Sequence, residues 1–167
     1  MVEIMYNIHQ VCPELKLYLL GAGDNVYAPM REEMDKCIKE YQLEDVIILL
    51  PWLNHDEALS YLKYARLYLS TSRYEGLPIA VIEALALEKA VVASDVIGNR
   101  SCVEDGGNGY LLPLNVDAFV DKILYLIEDK KKRREMELNS RHLFERNFVI
   151  TKNIEKLEIV YKKIHNS

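Results

Sequence analysis

Arg66-Leu67-Tyr68-Leu69-Ser70-Thr71-Ser72-Arg73-Tyr74-Glu75-Gly76-Leu77-Pro78-Ile79-Ala80-Val81-Ile82-Glu83-Ala84-Leu85-Ala86-Leu87 is the stretch that decides the fold. Residues 66–70 read as a short strand, Gly76 permits a turn, and Pro78 sits where the first turn of a helix favours it. Residues 79–87 then read as a helix. The first amides of such a helix have no internal acceptor, and its dipole adds partial positive charge there. The amides of Gly76, Leu77 and Ile79 therefore offer an anion a seat without any lysine. Pro78 contributes no N–H, which the remaining donors allow.

The same alternation extends in both directions. Residues 15–20 read as a strand stopping at Gly21-Ala22-Gly23, and residues 29–41 as a helix with Met30, Met34, Cys37, Ile38 and Tyr41 at helical spacing. Residues 46–50 form a continuous apolar run ended by Pro51, as expected of a buried parallel strand. A helix begins at Asn54 or His55, carrying Ala58, Leu59, Leu62 and Ala65. Further on come strands at 90–93 and 109–112 and three closing helices at about 116–128, 131–146 and 151–165. Met1-Val2-Glu3-Ile4-Met5 reads like the middle of a helix. Parallel strands need crossovers, and these are usually helices. The expected fold is therefore α/β: a Rossmann-like three-layer sandwich with a mostly parallel sheet, spanning 1–167 as one domain. Ligands in such sheets bind beyond the carboxyl ends of the strands, here residues 21–25, 51–54, 70–76 and 94–100.

Composition narrows the function. Half of the 167 residues are hydrophobic and 28% are charged, an ordinary globular balance, and the net charge of −5 argues against a nucleic-acid partner. Cys12, Cys37 and Cys102 are widely spaced and odd in number, which suits a reduced, cytoplasmic setting better than a disulfide framework. No run of about 18 apolar residues is present to span a bilayer, and the N-terminus lacks the pattern of a signal peptide. Peripheral membrane contact stays open at Lys130-Lys131-Lys132-Arg133-Arg134, although the flanking acids favour a solvated helix face. His9, His55, His142 and His165 share no ligand spacing, so solvated or capping histidines are expected and no metal site. Gly21-Ala22-Gly23 lacks the third glycine of a dinucleotide turn, since Val26 stands there. Ser72 is in no nucleophile elbow. Most of the eleven tyrosines are expected at the core or its edge.

Two carboxylates remain. Glu83 lies inside an otherwise apolar helix, where a buried charge needs partners. It is either a carboxylate facing solvent or one whose two oxygens meet paired hydroxyls, such as those of a ribose. Glu75 sits at the turn beside the anion seat. It would repel a phosphate, so its useful role is toward sugar hydroxyls or positive charge developing near a reacting carbon.

Glu75-Gly76-Leu77-Pro78-Ile79-Ala80-Val81-Ile82-Glu83-Ala84 resembles the E-x7-E motif of the family 4, or group 1, glycosyltransferases. The similarity continues through Ala90-Val91-Val92-Ala93-Ser94-Asp95, Gly98-Asn99-Arg100 and Val103-Glu104-Asp105-Gly106-Gly107-Asn108-Gly109-Tyr110-Leu111-Leu112-Pro113, and upstream through residues 17–23. It covers about residues 15–161. The resemblance implies the C-terminal, donor-binding half of a GT-B enzyme, which retains anomeric configuration and uses a nucleotide-sugar donor without a cofactor or obligatory metal. It implies that Glu83 binds the ribose and Glu75 meets the transferred sugar as the catalytic-site residue. Gly76, Leu77, Pro78 and Ile79 would hold the diphosphate and sugar, with Arg73 beside them, and Leu53 would touch the base. Tyr74 would border the donor pocket.

The implied reaction moves a hexose-type sugar, from a UDP-sugar more than a GDP-sugar, to a glycan or lipid-linked acceptor. The implied setting is bacterial surface polysaccharide synthesis (capsule or lipopolysaccharide) in the cytoplasm or at the inner membrane face. The alternative is a non-catalytic nucleotide-sugar-binding module or truncated copy. The family's usual first strand, with its Arg and Lys for the diphosphate, and the N-terminal acceptor domain are expected to be absent here. The isolated chain is then expected to bind donor weakly and to be inactive. Smaller departures are Pro51 in place of a glycine, Glu88 and Ala90 in place of glycine and proline, and Ser101 in place of an acid. Glu88 deprives the helix of its favoured C-terminal glycine.

Overall fold

The computed structural model describes residues 1–21 and 28–165; the expected turn through Ala22 and Gly23 lies outside them. In chain order the elements are α1 (Val2–His9), β1 (Leu17–Leu19), α2 (Ala28–Glu40), β2 (Ile47–Leu49), α3 (His55–Tyr64), β3 (Leu67–Ser70), α4 (Ile79–Ala86), β4 (Ala90–Ser94), α5 (Ile97–Arg100), β5 (Gly109–Leu112), α6 (Val116–Glu128), α7 (Lys130–Asn147) and α8 (Ile150–His165). The fold is mixed α/β with parallel sheets. Two compact units divide the chain: Met1–Ala65 with Leu112–Lys130, and Arg66–Leu111 with Lys131–Ser167. The strands correspondingly form two sheets, β1-β2 and β3-β4-β5, where the sequence suggested one.

In the first unit β1 pairs in parallel with β2, Leu17 opposite Ile47 and Leu19 opposite Leu49. Their crossover carries α2, which ends with Gln42 in the left-handed region at φ 57°. The Leu43 N–H closes that end on the Ile38 carbonyl at 2.9 Å. The core lies between α1 and α6. Ile4, Met5 and Ile8 are buried on one, and Phe119, Ile123 and Leu126, at helical spacing, on the other. Helix α3 starts at a complete capping box: Asn54 Oδ1 accepts from the Glu57 N–H, and Glu57 Oε2 accepts from the Asn54 N–H, both at 3.0 Å.

In the second unit β3 pairs in parallel with β4, Leu67 opposite Ala90 through Ser70 opposite Ala93. All five residues of β4 are buried. Val91 and Val92, fully enclosed, contribute about 1.5–3 kcal/mol each by leaving water. On its other side β4 meets β5, where Gly109 comes so close that an added Cβ would run into the Val91 carbonyl oxygen. Helix α4 packs on β3 and β4 through buried Val81, Ala84 and Leu85. It ends in a Schellman turn, with Glu88 N–H to Leu85 O at 3.1 Å and Lys89 N–H to Ala84 O at 2.9 Å. Glu88 occupies the left-handed position there, φ 56°, so the missing glycine is a real local strain.

Helix α7 buries Met136, Ser140 and Leu143 on one stripe. Ser140 Oγ donates to the Lys89 carbonyl at 2.7 Å and the Arg141 guanidinium to the Ala86 carbonyl at 2.8 Å. The basic run is engaged in pairs rather than uniformly solvated. Lys132 meets Glu135 at 2.8 Å, Arg133 meets Glu137 at 3.5 Å, and Arg134 meets Glu88 at 3.0 Å.

Other expectations are corrected. Tyr6, Tyr18, Tyr61, Tyr64, Tyr74, Tyr125 and Tyr161 are exposed instead of core-facing, as the phenol's polar hydroxyl allows. His9 has its Nδ1 buried without a partner among the described residues. Among the described residues none of Cys12, Cys37 and Cys102 forms a disulfide, and burial pushes the Cys102 thiol up. Among the described residues no helix is long and apolar enough to cross a membrane.

Candidate functional site

The second unit places the anion seat at the carboxyl end of β3. Residues 71–77 form an irregular turn, and Pro78 caps α4 from outside. Pro78 has ψ 87°, it is buried, and its carbonyl accepts from Val81 at 3.0 Å and Ile82 at 3.1 Å. This corrects two readings of the sequence. Pro78 precedes the first helical turn instead of lying in it, and being buried it shapes the turn instead of presenting a surface. The helix starts at Ile79, as read from the sequence, and its second amide belongs to Ala80, which the sequence reading left out. The amides of Gly76, Leu77, Ile79 and Ala80 have no acceptor among the described residues, and all four residues are exposed. Four N–H groups at a positively polarised helix start, open to solvent, can receive an anionic group.

Glu83 lies one turn further along α4 and is half-buried. The helix is not covered on all sides: Ile79 is 57% exposed and Ala80 is exposed too. One tyrosine feels the charge of both glutamates. Tyr68 on β3 has its hydroxyl pushed up to about 12, first by burial, then by the negative charge of Glu75 and of Glu83. The turn and the helix thus bring both carboxylates into the field of one phenol. Tyr68 was invisible as a site residue because in sequence it reads only as the middle of a strand.

Glu75 is held from several directions. Ser72 Oγ donates to Glu75 Oε1 at 2.7 Å, and Ser70 Oγ donates to Ser72 Oγ at 3.4 Å. Ser94, at the end of β4 and fully buried, donates its hydroxyl to the Ser72 carbonyl. Asn99 of α5, also fully buried, donates through Nδ2 to the Ser94 carbonyl at 2.9 Å and to Ser94 Oγ at 3.4 Å. The Gly98 N–H donates to the Glu75 carbonyl at 3.1 Å. Gly98 has to be glycine: a Cβ there would stand 2.6 Å from the Glu75 carbonyl oxygen and 2.7 Å from that of Gly76. Asn99 Oδ1 has no partner among the described residues, a burial costing about 1–3 kcal/mol that a leucine of similar size would avoid. The loop 94–100, expected as irregular, therefore contains a short helix whose task is to brace the turn. Four residues interrupted by a glycine are too few for periodicity to reveal.

The remaining candidates lie on the surface. Arg73 and Tyr74 are exposed, Tyr74 at 81%. Arg100 is engaged by Asp95 through two contacts of 2.6 and 3.1 Å, and its hydrogen bond holds the Asp95 carboxyl below the usual range. Leu53 belongs to the first unit. It is half-buried in the loop after β2, next to Trp52, which is 70% exposed and lies 3.7 Å from the place a Gly21 Cβ would take. Among the described residues no three His, Cys, Asp or Glu side chains gather as metal ligands.

A strand, a glycine turn with open amides and a carboxylate-bearing helix thus stand together at one end of the second unit. Residues 2–143 match the family described as Glycosyl transferases group 1, and the chain belongs to that family. Its fold is that of GT-B glycosyltransferases. A trehalose synthase of Thermococcus litoralis is 28% identical over 159 residues, 93% of this chain and 38% of that protein. The UDP-Gal:alpha-D-GlcNAc-diphosphoundecaprenol alpha-1,3-galactosyltransferase of Escherichia coli is 28% identical over 123 residues, 73% of this chain and 31% of that one. Among solved structures, a TarM variant of S. aureus in complex with fondaparinux, alpha-GlcNAc-glycerol and UDP is similar with a TM-score of 0.84 and 25% identity. It covers 96% of this chain and 31% of its own. The chain therefore spans well under half the length of these relatives.

Proposed function

We propose that the chain is the donor-binding half of a retaining glycosyltransferase that takes a hexose-type sugar from a nucleoside-diphosphate sugar, UDP before GDP. The observation that carries this reading is the open row of amides at Gly76, Leu77, Ile79 and Ala80, set in the same unit as Glu75 and Glu83. Family membership supports sugar transfer, and the UDP named in the TarM complex supports the nucleotide.

In this reading the diphosphate rests on the amides, where the helix dipole offsets its charge. Glu83 accepts hydrogen bonds from the two ribose hydroxyls. Glu75 accepts from hydroxyls of the transferred sugar, with Arg73 and Tyr74 at the margin. The bond between the anomeric carbon and the phosphate oxygen breaks. The acceptor oxygen attacks from the same face, and its proton passes to the departing phosphate. No side chain need form a covalent intermediate, and no cofactor is required. The acceptor is a glycan or a lipid-linked saccharide, which suits surface polysaccharide synthesis at the inner face of the cytoplasmic membrane.

Titration calorimetry with UDP, GDP and ADP on the wild type and on Glu83→Ala tests the assignment. The variant is expected to lose about tenfold or more in UDP affinity, the worth of hydrogen bonds to a charged acceptor. Equal UDP affinity in the two proteins contradicts the ribose role.

A further inference from the structure

We infer that Ser72 is a positioning residue for Glu75: it fixes the carboxylate so that one oxygen is occupied by the protein and the other is presented to the transferred sugar. The inference rests on the donor-binding reading and goes beyond it by naming the group that sets Glu75's orientation. Ser72 Oγ donates to Oε1 at 2.7 Å, while Oε2 has no hydrogen bond among the described residues. A carboxylate on a turn would otherwise sample several rotamers, and a sugar hydroxyl would have to order it on binding.

The support behind Ser72 is directional. Asn99 donates to Ser94, Ser94 donates to the Ser72 backbone, Ser70 donates to the Ser72 hydroxyl, and Ser72 donates to Glu75. Asn99 and Ser94 thus hold the Ser72 backbone in place, and the Ser70 hydroxyl donates to the same Ser72 hydroxyl that donates to the carboxylate. Two of these residues, Ser94 and Asn99, are fully buried, and Asn99 leaves its own Oδ1 without a partner among the described residues. Apolar residues would fill those positions without that cost. A serine that served only to shape the turn would need neither the bond to Oε1 nor a buried amide behind it.

The test compares two ligands on one protein. UDP and UDP-glucose are titrated by calorimetry into the wild type, Ser72→Ala, Ser72→Thr and Ser94→Ala, with melting curves run to verify folding. Glu75 meets only the sugar in this reading, so Ser72→Ala should leave the Kd for UDP within about twofold. The Kd for UDP-glucose should rise about tenfold. Ser72→Thr, which keeps the hydroxyl, should restore most of that loss. Ser94→Ala, one step further back, should shift the same ratio in the same direction by less. The inference is overturned if Ser72→Ala keeps the wild-type ratio of the two constants, or if it weakens both ligands equally. Failure of the wild type to bind either ligand would instead overturn the donor-binding reading itself.

Discussion

The turn after β3 and the loop after β2 stand at equivalent places, the carboxyl ends of parallel strands, yet they are held in different ways. The side-chain support of the loop after β2 is local, Asn54 and Glu57 capping each other's amides, and one distant backbone bond joins it, the Gly21 N–H to the Pro51 carbonyl at 3.4 Å. The turn after β3 is fixed from 22 or more residues away, by Ser94, Gly98 and Asn99. Under the proposed function the difference matches what each would present: a surface for a flat ring tolerates a degree of play, whereas a carboxylate aimed at a reacting sugar would have to be placed within a fraction of an ångström, and the turn that carries Glu75 is tied to the fully buried β4.

Breaking the distant brace should have the largest effect. Gly98→Ala forces a Cβ against the Glu75 and Gly76 carbonyls and is expected to cost about 2–3 kcal/mol, read by urea denaturation. A loss under about 0.5 kcal/mol would show that the turn yields freely. Next is an alkaline effect. Tyr68 holds its proton to about 12 against an ordinary 10.0, so between those values the unfolded chain releases a proton that the folded chain keeps. Its contribution is complete below pH 10 and is lost as pH rises through 12, roughly 2–3 kcal/mol in all. Tyr68→Phe should flatten the stability profile in that window, and an unchanged slope would show that the phenol is not held protonated by its burial and the two glutamates.

On the locally held side the effects are smaller. Asn54→Ala should cost about 1 kcal/mol through loss of the cap and leave UDP-glucose discrimination as it was. A loss of discrimination equal to that of Ser72→Ala would erase the contrast between the two loops. Smallest is Glu88→Gly, which relieves a left-handed φ of 56°. It gives up only an exposed pair with Arg134, for a net gain of about 0.5 kcal/mol visible as a higher Tm.

These two regions also show what a sequence discloses. The ranges of α6 and β5 coincide with the expected ones, because an apolar stripe of helical period and a short apolar run after Gly106-Gly107-Asn108 leave little choice. The eight-position step from Glu75 to Glu83 was legible as a pair, and both side chains lie in one unit. The brace was not legible. Ser72, Ser94 and Asn99 are ordinary polar residues until folding brings them together, and α5 is only four residues long. Pro78 misled by one position, since proline is at home both at a helix start and just before it, and only the backbone angles separate the two.

The central claim is that the exposed amides at the start of α4 seat the donor's phosphates. Amide nitrogen–proton correlation spectra recorded through a UDP titration address it residue by residue. The largest shifts should fall on Gly76, Leu77, Ile79 and Ala80, with Glu83 following, and the same resonances should move with inorganic diphosphate except for Glu83. If those amides stay in place while UDP shifts resonances elsewhere, or if nothing moves as UDP is raised to millimolar levels, the claim is contradicted.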